Sequence, residues 1–199
     1  MSIDIGASIR ISVPLATLLA HAEATIAALS RPPAMAPLVV DTAPFTDFVI
    51  GPFPLPKRDA RPGFSVNAWT LWQPDLRISS GRLATVSVTV AHLLTHEQRG
   101  LPPYPRTDQE RLEDAELAGY RAVIQPYRTK HSFCLGALLA HSIATLNRSR
   151  IIDDQGFLKH GCLVDPAVVA DMFAKHGDAE TFEQLADGFC AGIISFASD

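Results

Sequence analysis

The amino-acid sequence predicts an α+β fold: a single domain with a mostly antiparallel sheet and helices packed on one face. Val86, Val88 and Val90 alternate with small hydroxylic residues, a pattern typical of a half-buried antiparallel strand. The mostly apolar residues 132–146 recur at helical spacing, which indicates a helix buried against a sheet and another helix. Turn sequences join the strand-like segments in the middle of the chain, and short turns favour antiparallel pairing.

The length and composition fit one globular domain spanning residues 1–199. A chain of 199 residues buries enough surface to form its own core, and 47% hydrophobic with 19% charged residues is a globular composition. Residues 32–62 hold eight of the 15 prolines, so they cannot form a helix or a central strand. We interpret them as a proline-rich connector within the domain, laid over its surface.

The first half of the chain predicts one helix between strands. Residues 8–13 alternate and predict a short strand. Ser12 is placed to cap a following helix, Pro14 suits its first turn, and residues 31–33 end it with two prolines. Further strands are predicted for Phe64–Trp72, from Leu76 to Ile78, and for Arg82–Val90, with a turn at residues 79–81.

The second half predicts mainly helices. Thr107 and Glu110 form a capping-box pattern that begins a helix running through Val123, and Pro126 ends it. The apolar helix 132–146 follows. After it we expect a strand at 151–152, a turn at 153–156, helices beginning at Asp165–Pro166 and near Phe182, and a strand at 193–196.

The charge balance argues against a nucleic-acid partner. Seventeen basic and 21 acidic residues give a formal charge of −4, and the basic residues form no run that would contact phosphates. No apolar stretch is long enough to span a bilayer and no export signal is visible, so we expect no membrane partner. The odd, widely spaced cysteines Cys134, Cys162 and Cys190 indicate free thiols and a cytoplasmic location.

The common catalytic loops are missing from the sequence. Neither glycine-rich phosphate-binding pattern occurs, and no Gly-x-Ser-x-Gly nucleophile elbow occurs. Asp153 and Asp154 would suit a metal or acid–base pair, but Asp-Gln-Gly is also ordinary turn chemistry. We therefore expect no cofactor.

His92, His96 and Glu97 form the most metal-like cluster. On a helix the two histidines would share one face a turn apart, as zinc ligands require. On a continuing strand they would lie roughly 13 Å apart and stay solvated. The glutamate lies outside the histidine pair, so this is not the His-Glu-x-x-His motif.

His131 and Cys134 form a second candidate. They lie three residues apart at the start of the apolar helix, where a thiolate–imidazolium nucleophile is one interpretation. The alternative is a buried core cysteine, because apolar surroundings raise the pKa of a thiol and make it inert.

Phe53, Trp69, Trp72 and Tyr104 are large aromatic residues near proline-rich loops. Such residues either dominate contact hot spots or form the edge of the core. We interpret them as binding residues. The sequence therefore favours a soluble non-catalytic protein-binding domain, one form of which is a toxin- or effector-neutralising (immunity-type) protein. Its partner would be another protein or a second copy of the chain. The alternative is a small intracellular hydrolase that uses the His/Glu metal site or the Cys/His pair.

Overall fold

The computed structural model confirms the α+β class. It describes residues 4–29, 37–40, 49–52, 70–71, 76–93, 107–108, 110–111, 119–127, 129–153, 155–158, 161–191 and 193. The strands within these residues are β1 (Ile5–Ser8), β2 (Val13–Pro14), β3 (Leu38–Val40), β4 (Val49–Ile50), β5 (Thr70–Leu71), β6 (Leu76–Ser80), β7 (Ala84–Leu93), β8 (Gly119–Pro126), β9 (Ile151–Ile152) and β10 (Leu163–Val164). The helices are α1 (Leu15–Leu29), α2 (Lys130–Asn147), α3 (Pro166–Ala174) and α4 (Phe182–Ala191).

The main sheet has the strand order β10-β9-β1-β8-β7-β6-β3, and β5 pairs with the far end of β7. Every one of its described pairings is antiparallel. Strands β2 and β4 form a separate two-stranded sheet. The hairpin β6–β7 turns at residues 81–83, where Gly81 has a positive φ of 59°.

Helix α2 occupies the centre of the core. It packs against β1, β7 and β8 on one side and against α1, α3 and α4 on the others. Gly136 permits a close approach to the sheet, because a Cβ there would lie 2.9 Å from the Cγ of Pro126. The face of the sheet that meets α2 is therefore the face that carries Ile5, Ile124 and Pro126.

Side-chain caps define both ends of α2. At its start the backbone N–H of Ser132 donates to Thr129 Oγ1, and the Ser132 hydroxyl accepts from the backbone N–H of Thr85 on β7. At its end Arg148 adopts a left-handed conformation, φ 47° and ψ 48°. The N–H of Ser149 donates to the carbonyl of Ala144, which closes a Schellman-type cap.

The strand predicted for residues 8–13 is wrong in its extent. The structure has β1 at Ile5–Ser8 and β2 at Val13–Pro14, with irregular backbone between them. The physical reason is Asn147, whose Oδ1 accepts from the backbone N–H groups of Arg10 and Ile11. Those two N–H groups are therefore not available to a strand ladder.

The helix predicted to run from Thr107 through Val123 is also wrong at its distal end. The capping box at its start is present, since Thr107 N donates to Glu110 Oε2 and Glu110 N donates to Thr107 Oγ1. Gly119 has a φ of +95°, which a helix cannot accommodate, and β8 begins there. Pairing with β1 and β7 on both sides overrides the helical spacing of this segment.

The remaining predicted helices are confirmed, whereas Ile193, the described residue of the strand predicted at 193–196, lies in a bend. Helix α2 extends the predicted 132–146 by a few residues, and Asp165 caps α3 with Pro166 at its first position. The turn predicted at 79–81 is wrong in its position: Ser79 and Ser80 pair with β7, so the turn lies at residues 81–83. Most of the connector 32–62 and the strand at 64–72, except Thr70–Leu71, lie outside the described residues. The single-domain boundary stays a prediction.

Candidate functional site

The outer face of the sheet, opposite α2, offers a continuous row of side chains across four strands. Val39 on β3 lies opposite Ser79 on β6, and Ser79 lies opposite Thr85 on β7. The backbone N–H of Tyr127, just after β8, donates to the carbonyl of Thr85. Neighbouring strands lie about 4.8 Å apart, so this row is about 14 Å long. Its floor is small and hydroxylic, as the alternation in β7 predicted.

Large apolar side chains are exposed at this end of the sheet. Val39 is 54% exposed, Leu83 in the β6–β7 turn is 58% exposed and Tyr127 is 47% exposed. The guanidinium carbon of Arg77 on β6 lies 5.7 Å from the centre of the Tyr127 ring, within the range of a cation–π contact. We name Val39, Arg77, Arg82, Leu83 and Tyr127 the outer-face patch.

The outer-face patch has a definite boundary along β7. Thr85 and Ser87 are half-buried, whereas Thr89 and Ala91 further along the same strand face are buried. Exposure on this face of β7 is therefore concentrated at the end near the β6–β7 turn. An exposed group of large side chains with such a boundary is typical of a contact surface.

The local charge of this surface is opposite in sign to that of the whole chain. Strands β3, β6, β7 and β8 and the β6–β7 turn contain no aspartate or glutamate. Arg77 on β6 and Arg82 in the β6–β7 turn are both exposed, while the chain carries a net charge of −4. Within the described residues neither arginine forms an ion pair with a carboxylate. The outer-face patch thus combines apolar side chains with positive charge.

None of the binding residues predicted from the sequence is among the residues that define the outer-face patch. Phe53, Trp69, Trp72 and Tyr104 all lie outside the described residues, so their role stays a prediction. Sequence reasoning missed Tyr127, because only the pairing of its N–H with β7 brings it beside β6. The one usable signal was the absence of acidic residues from three consecutive strand segments.

His92, the described member of the predicted metal cluster, lies on the core face of β7. Its ring meets the ring of Tyr120 edge-on, with 4.7 Å between the ring centres. Its Nδ1 is buried with no hydrogen bond, and burial lowers the pKa of His92 below its ordinary value. His96 and Glu97 lie outside the described residues. Within the described part of the chain no group of three His, Cys, Asp or Glu side chains is placed to hold a metal ion.

His131 and Cys134 lie at the start of α2, as predicted, but their surroundings are apolar. The His131 ring packs against Phe182, with 5.8 Å between ring centres. Cys134 is fully buried, and burial together with the neighbouring Cys190 thiol raises the pKa of Cys134 well above its ordinary value. A thiol in this environment stays protonated at neutral pH. The nucleophile hypothesis stays a prediction, and this protonation counts against it.

Cys190 on α4 has the same character. Its thiol donates to the backbone carbonyl of Lys130 at 3.6 Å, and burial raises the pKa of Cys190 to about 12. Cys134, Cys162 and Cys190 are all free thiols in the structure.

A further histidine pair joins α1 to α2. The rings of His21 and His141 lie with their centres 6.5 Å apart. Two histidines on one tetrahedral zinc ion would have ring centres about 5 Å apart, given zinc–nitrogen bonds of about 2.0–2.1 Å. The backbone carbonyl of Pro166 accepts from His141 Nδ1 at 3.0 Å, so Nδ1 carries the proton in the neutral ring. This pair connects α1 and α2 and is not a preassembled metal centre.

We expect the stability of the protein to fall as the pH is lowered through the range just below 6.5, partly because of His141. Burial lowers the pKa of His141, the Pro166 hydrogen bond opposes this shift, and His21 adds to it. A depressed folded-state pKa means that the unfolded chain binds the proton more tightly, so stability is present above pH 6.5 and is lost on acidification. The loss approaches at most about 1.4 kcal/mol per pH unit for one such group.

His141→Asn tests this expectation, because the asparagine Nδ2 can still donate to the Pro166 carbonyl without titrating. Urea denaturation at about pH 7.5 and pH 5.5 should show a smaller loss for His141→Asn than for the unmodified protein. His92, whose pKa is also lowered, should account for part of the remaining dependence. An identical loss in both proteins would show that His141 does not contribute.

A shallow depression lies elsewhere on the outer face, between β1, β8 and β9. Its volume is only about 60 Å³, and Asp4, Gly6, Arg121 and Gln155 lie on its wall. Its wall carries both signs of charge, so it favours neither anions nor cations. It is too open to enclose a ligand in the way that small-molecule pockets do.

Within the described residues no helix has both the length and the apolar character needed to cross a bilayer. No protein-family model, no curated protein and no solved structure matches this chain.

Proposed function

We propose that this protein is a non-catalytic protein-binding domain and that the outer-face patch is its contact surface. The observation that carries the proposal is the exposed Tyr127 residue with the Arg77 guanidinium beside its ring, next to the hydroxylic face of β7. Tyrosine and arginine are the residue types most enriched, with tryptophan, among residues that dominate binding energy.

The state of the described chemistry-bearing residues supports a binding function over a catalytic one. The two oxygens of Asp153 accept from the backbone N–H groups of Phe157 and Leu158, so this carboxylate holds a turn. The raised pKa values of Cys134 and Cys190 keep these thiols protonated. These groups serve the fold, whereas Arg77 and Tyr127 are oriented outward.

The narrower form of the proposal gives the partner a biological class. In this form the protein neutralises a toxin or effector in the cytoplasm. Free thiols support a reducing compartment, and the chain's net charge of −4 supports a partner-binding rather than a phosphate-binding role.

The test is capture of a partner by the intact protein and by two matched double variants. Arg77→Ala/Tyr127→Ala removes the proposed contact side chains. Ile11→Ala/Lys175→Ala removes one exposed apolar and one exposed basic side chain away from the outer-face patch. Both variants should remain folded, because surface substitutions usually change stability by less than about 0.5 kcal/mol.

We expect protein retained from an extract of the native source to fall at least about tenfold with Arg77→Ala/Tyr127→Ala and to persist with Ile11→Ala/Lys175→Ala. Mass spectrometry identifies the retained protein, and circular dichroism confirms that both variants are folded. Equal retention by all three proteins would reject the outer-face patch as the contact surface. About one equivalent of metal per chain, lost in His92→Ala, would instead favour the hydrolase alternative.

A further inference from the structure

We infer that the outer-face patch recognises an acidic segment of its partner, one that also carries apolar side chains. The inference rests on the proposed function, because it names the chemistry of the partner that would occupy the same surface. The net charge of the chain alone would not indicate an acidic partner, because an acidic protein repels another acidic protein over most of its surface.

The charges close to the outer-face patch determine which segment it attracts. Two exposed charges more than about 8 Å apart interact weakly at physiological ionic strength, because salt screens them. The electrostatic energy of a bound segment therefore depends mainly on the nearest charged side chains. On the outer-face patch these charges are Arg77 on β6 and Arg82 in the β6–β7 turn, and neither β6, β7 nor the turn between them contains an acidic residue. Arg77 lies beside the Tyr127 ring. Stacking of this kind leaves the guanidinium N–H groups at its edge free to donate to a carboxylate.

The apolar members set the length and shape of the occupant. Val39 and Tyr127 stand at opposite ends of the row Val39–Ser79–Thr85–Tyr127, about 14 Å apart. An extended segment advances about 3.3 Å per residue, so about five residues cross from one end of the row to the other. Between them lie two small side chains, of which Thr85 is half-buried and Ser79 is buried.

An acidic protein segment fits this surface better than a nucleic acid does. Phosphate backbones are bound by several lysines and arginines arranged in a row, and the described patch has only Arg77 and Arg82. Val39 and Leu83, which are more than half exposed, match apolar side chains and have no counterpart in a phosphate chain.

The experiment measures binding of synthetic fluorescent peptides of about ten residues to the full chain. One peptide has Glu at alternate positions with Leu or Ser between them, and matched peptides carry Gln or Lys in place of Glu. A labelled thymidine oligonucleotide of similar length serves as the nucleic-acid probe. Binding is measured by fluorescence anisotropy at about 20 mM and about 150 mM salt.

We expect the Glu peptide to bind most tightly, the Gln peptide less tightly and the Lys peptide least. Arg77→Gln/Arg82→Gln should weaken the Glu peptide about five- to tenfold, because each exposed ion pair accounts for a factor of about two to five. The Gln peptide should bind this variant and the unmodified protein alike. Lys175→Gln, which removes an exposed positive charge from the helical layer, should leave the affinity unchanged. Raising the salt should weaken the Glu peptide more than the Gln peptide.

Three results of the binding experiment would overturn the inference. They are equal affinity for the Glu and Gln peptides, tighter binding of the oligonucleotide than of the Glu peptide, and no peptide binding up to about 1 mM. Each is distinguishable from failure of the proposed function, because capture of a partner that depends on Arg77 and Tyr127 would still stand. Concentration-dependent self-association lost in Arg77→Gln/Arg82→Gln, without peptide binding, would assign the surface to a second copy and also overturn the inference.

Discussion

Replacing Asp153 with alanine should lower the free energy of unfolding by about 3 kcal/mol, measured by urea denaturation. Asp153 is 1% exposed, and its Oδ1 and Oδ2 accept from the backbone N–H groups of Phe157 at 3.1 Å and Leu158 at 2.6 Å. Hydrogen bonds to a charged acceptor contribute about 1.5–3 kcal/mol each, and alanine would leave two sheltered N–H donors without partners. The loss should be large because both bonds are made by one side chain.

The turn that Asp153 holds also supports the core. The backbone N–H of Asp153 donates to the carbonyl of Cys162, and this bond continues the pairing of β9 with β10. The Phe157 ring packs edge-on against Phe133 of α2, with ring centres 5.8 Å apart, and Leu158 is buried in the core. Loosening the turn should therefore reduce packing against α2 as well as the two hydrogen bonds.

Two control variants separate the hydrogen bonds from a general effect of removing aspartate. Asp165→Ala removes one exposed helix cap, the bond from Ala167 N at 2.9 Å, and should cost about 1 kcal/mol. Asp153→Asn keeps the side-chain volume and one acceptor oxygen. Its loss of stability should therefore fall between the losses of Asp165→Ala and Asp153→Ala. If Asp153→Ala lost no more stability than Asp165→Ala, the buried turn would not be an important source of stability.

Periodicity and capping chemistry located the helices that depend on local signals. Helix α2 was predictable from its apolar spacing, and α3 from Asp165 followed by proline. The Thr107–Glu110 capping box was also predictable, because both of its hydrogen bonds join residues three apart. Signals of this kind are encoded within a few residues, so they survive without knowledge of the fold.

Features set by distant residues were not predictable in this way. The spacing from Leu112 to Val123 fits a helix, yet residues 119–126 form a central strand because β1 and β7 pair with both of its edges. The hydroxylic face of β7 was recognised in the sequence. Its use as the floor of the outer-face patch depends on the register that aligns Val39, Ser79 and Thr85. Register across separate strands leaves no local trace in a single sequence.

Replacing Asn147 with alanine should lower the free energy of unfolding by about 3 kcal/mol, again measured by urea denaturation. Asn147 is 3% exposed, at the end of α2. Its Oδ1 accepts from the backbone N–H groups of Arg10 at 2.8 Å and Ile11 at 2.9 Å, and its Nδ2 donates to the carbonyl of Ile143 at 3.0 Å. One side chain thus connects the segment after β1 to the far end of the chain's central helix, and alanine removes the acceptor for the N–H groups of Arg10 and Ile11.

Asn147→Asp and Thr145→Ala test whether the amide itself is required. Aspartate retains the acceptor for Arg10 and Ile11 but cannot donate to Ile143, and it places negative charge at the end of a helix where carbonyl groups already accumulate. We therefore expect Asn147→Asp to be clearly destabilising, by about 1–2 kcal/mol. Thr145 is exposed on the same turn of α2, so Thr145→Ala should change stability by less than about 0.5 kcal/mol. Equal stability of Asn147→Ala and Thr145→Ala would mean that the segment between β1 and β2 is held without Asn147. A loss of stability in Asn147→Ala but not in Thr145→Ala would explain why this segment leaves the sheet, because the N–H groups of Arg10 and Ile11 bond to Asn147 of α2 instead of to a strand.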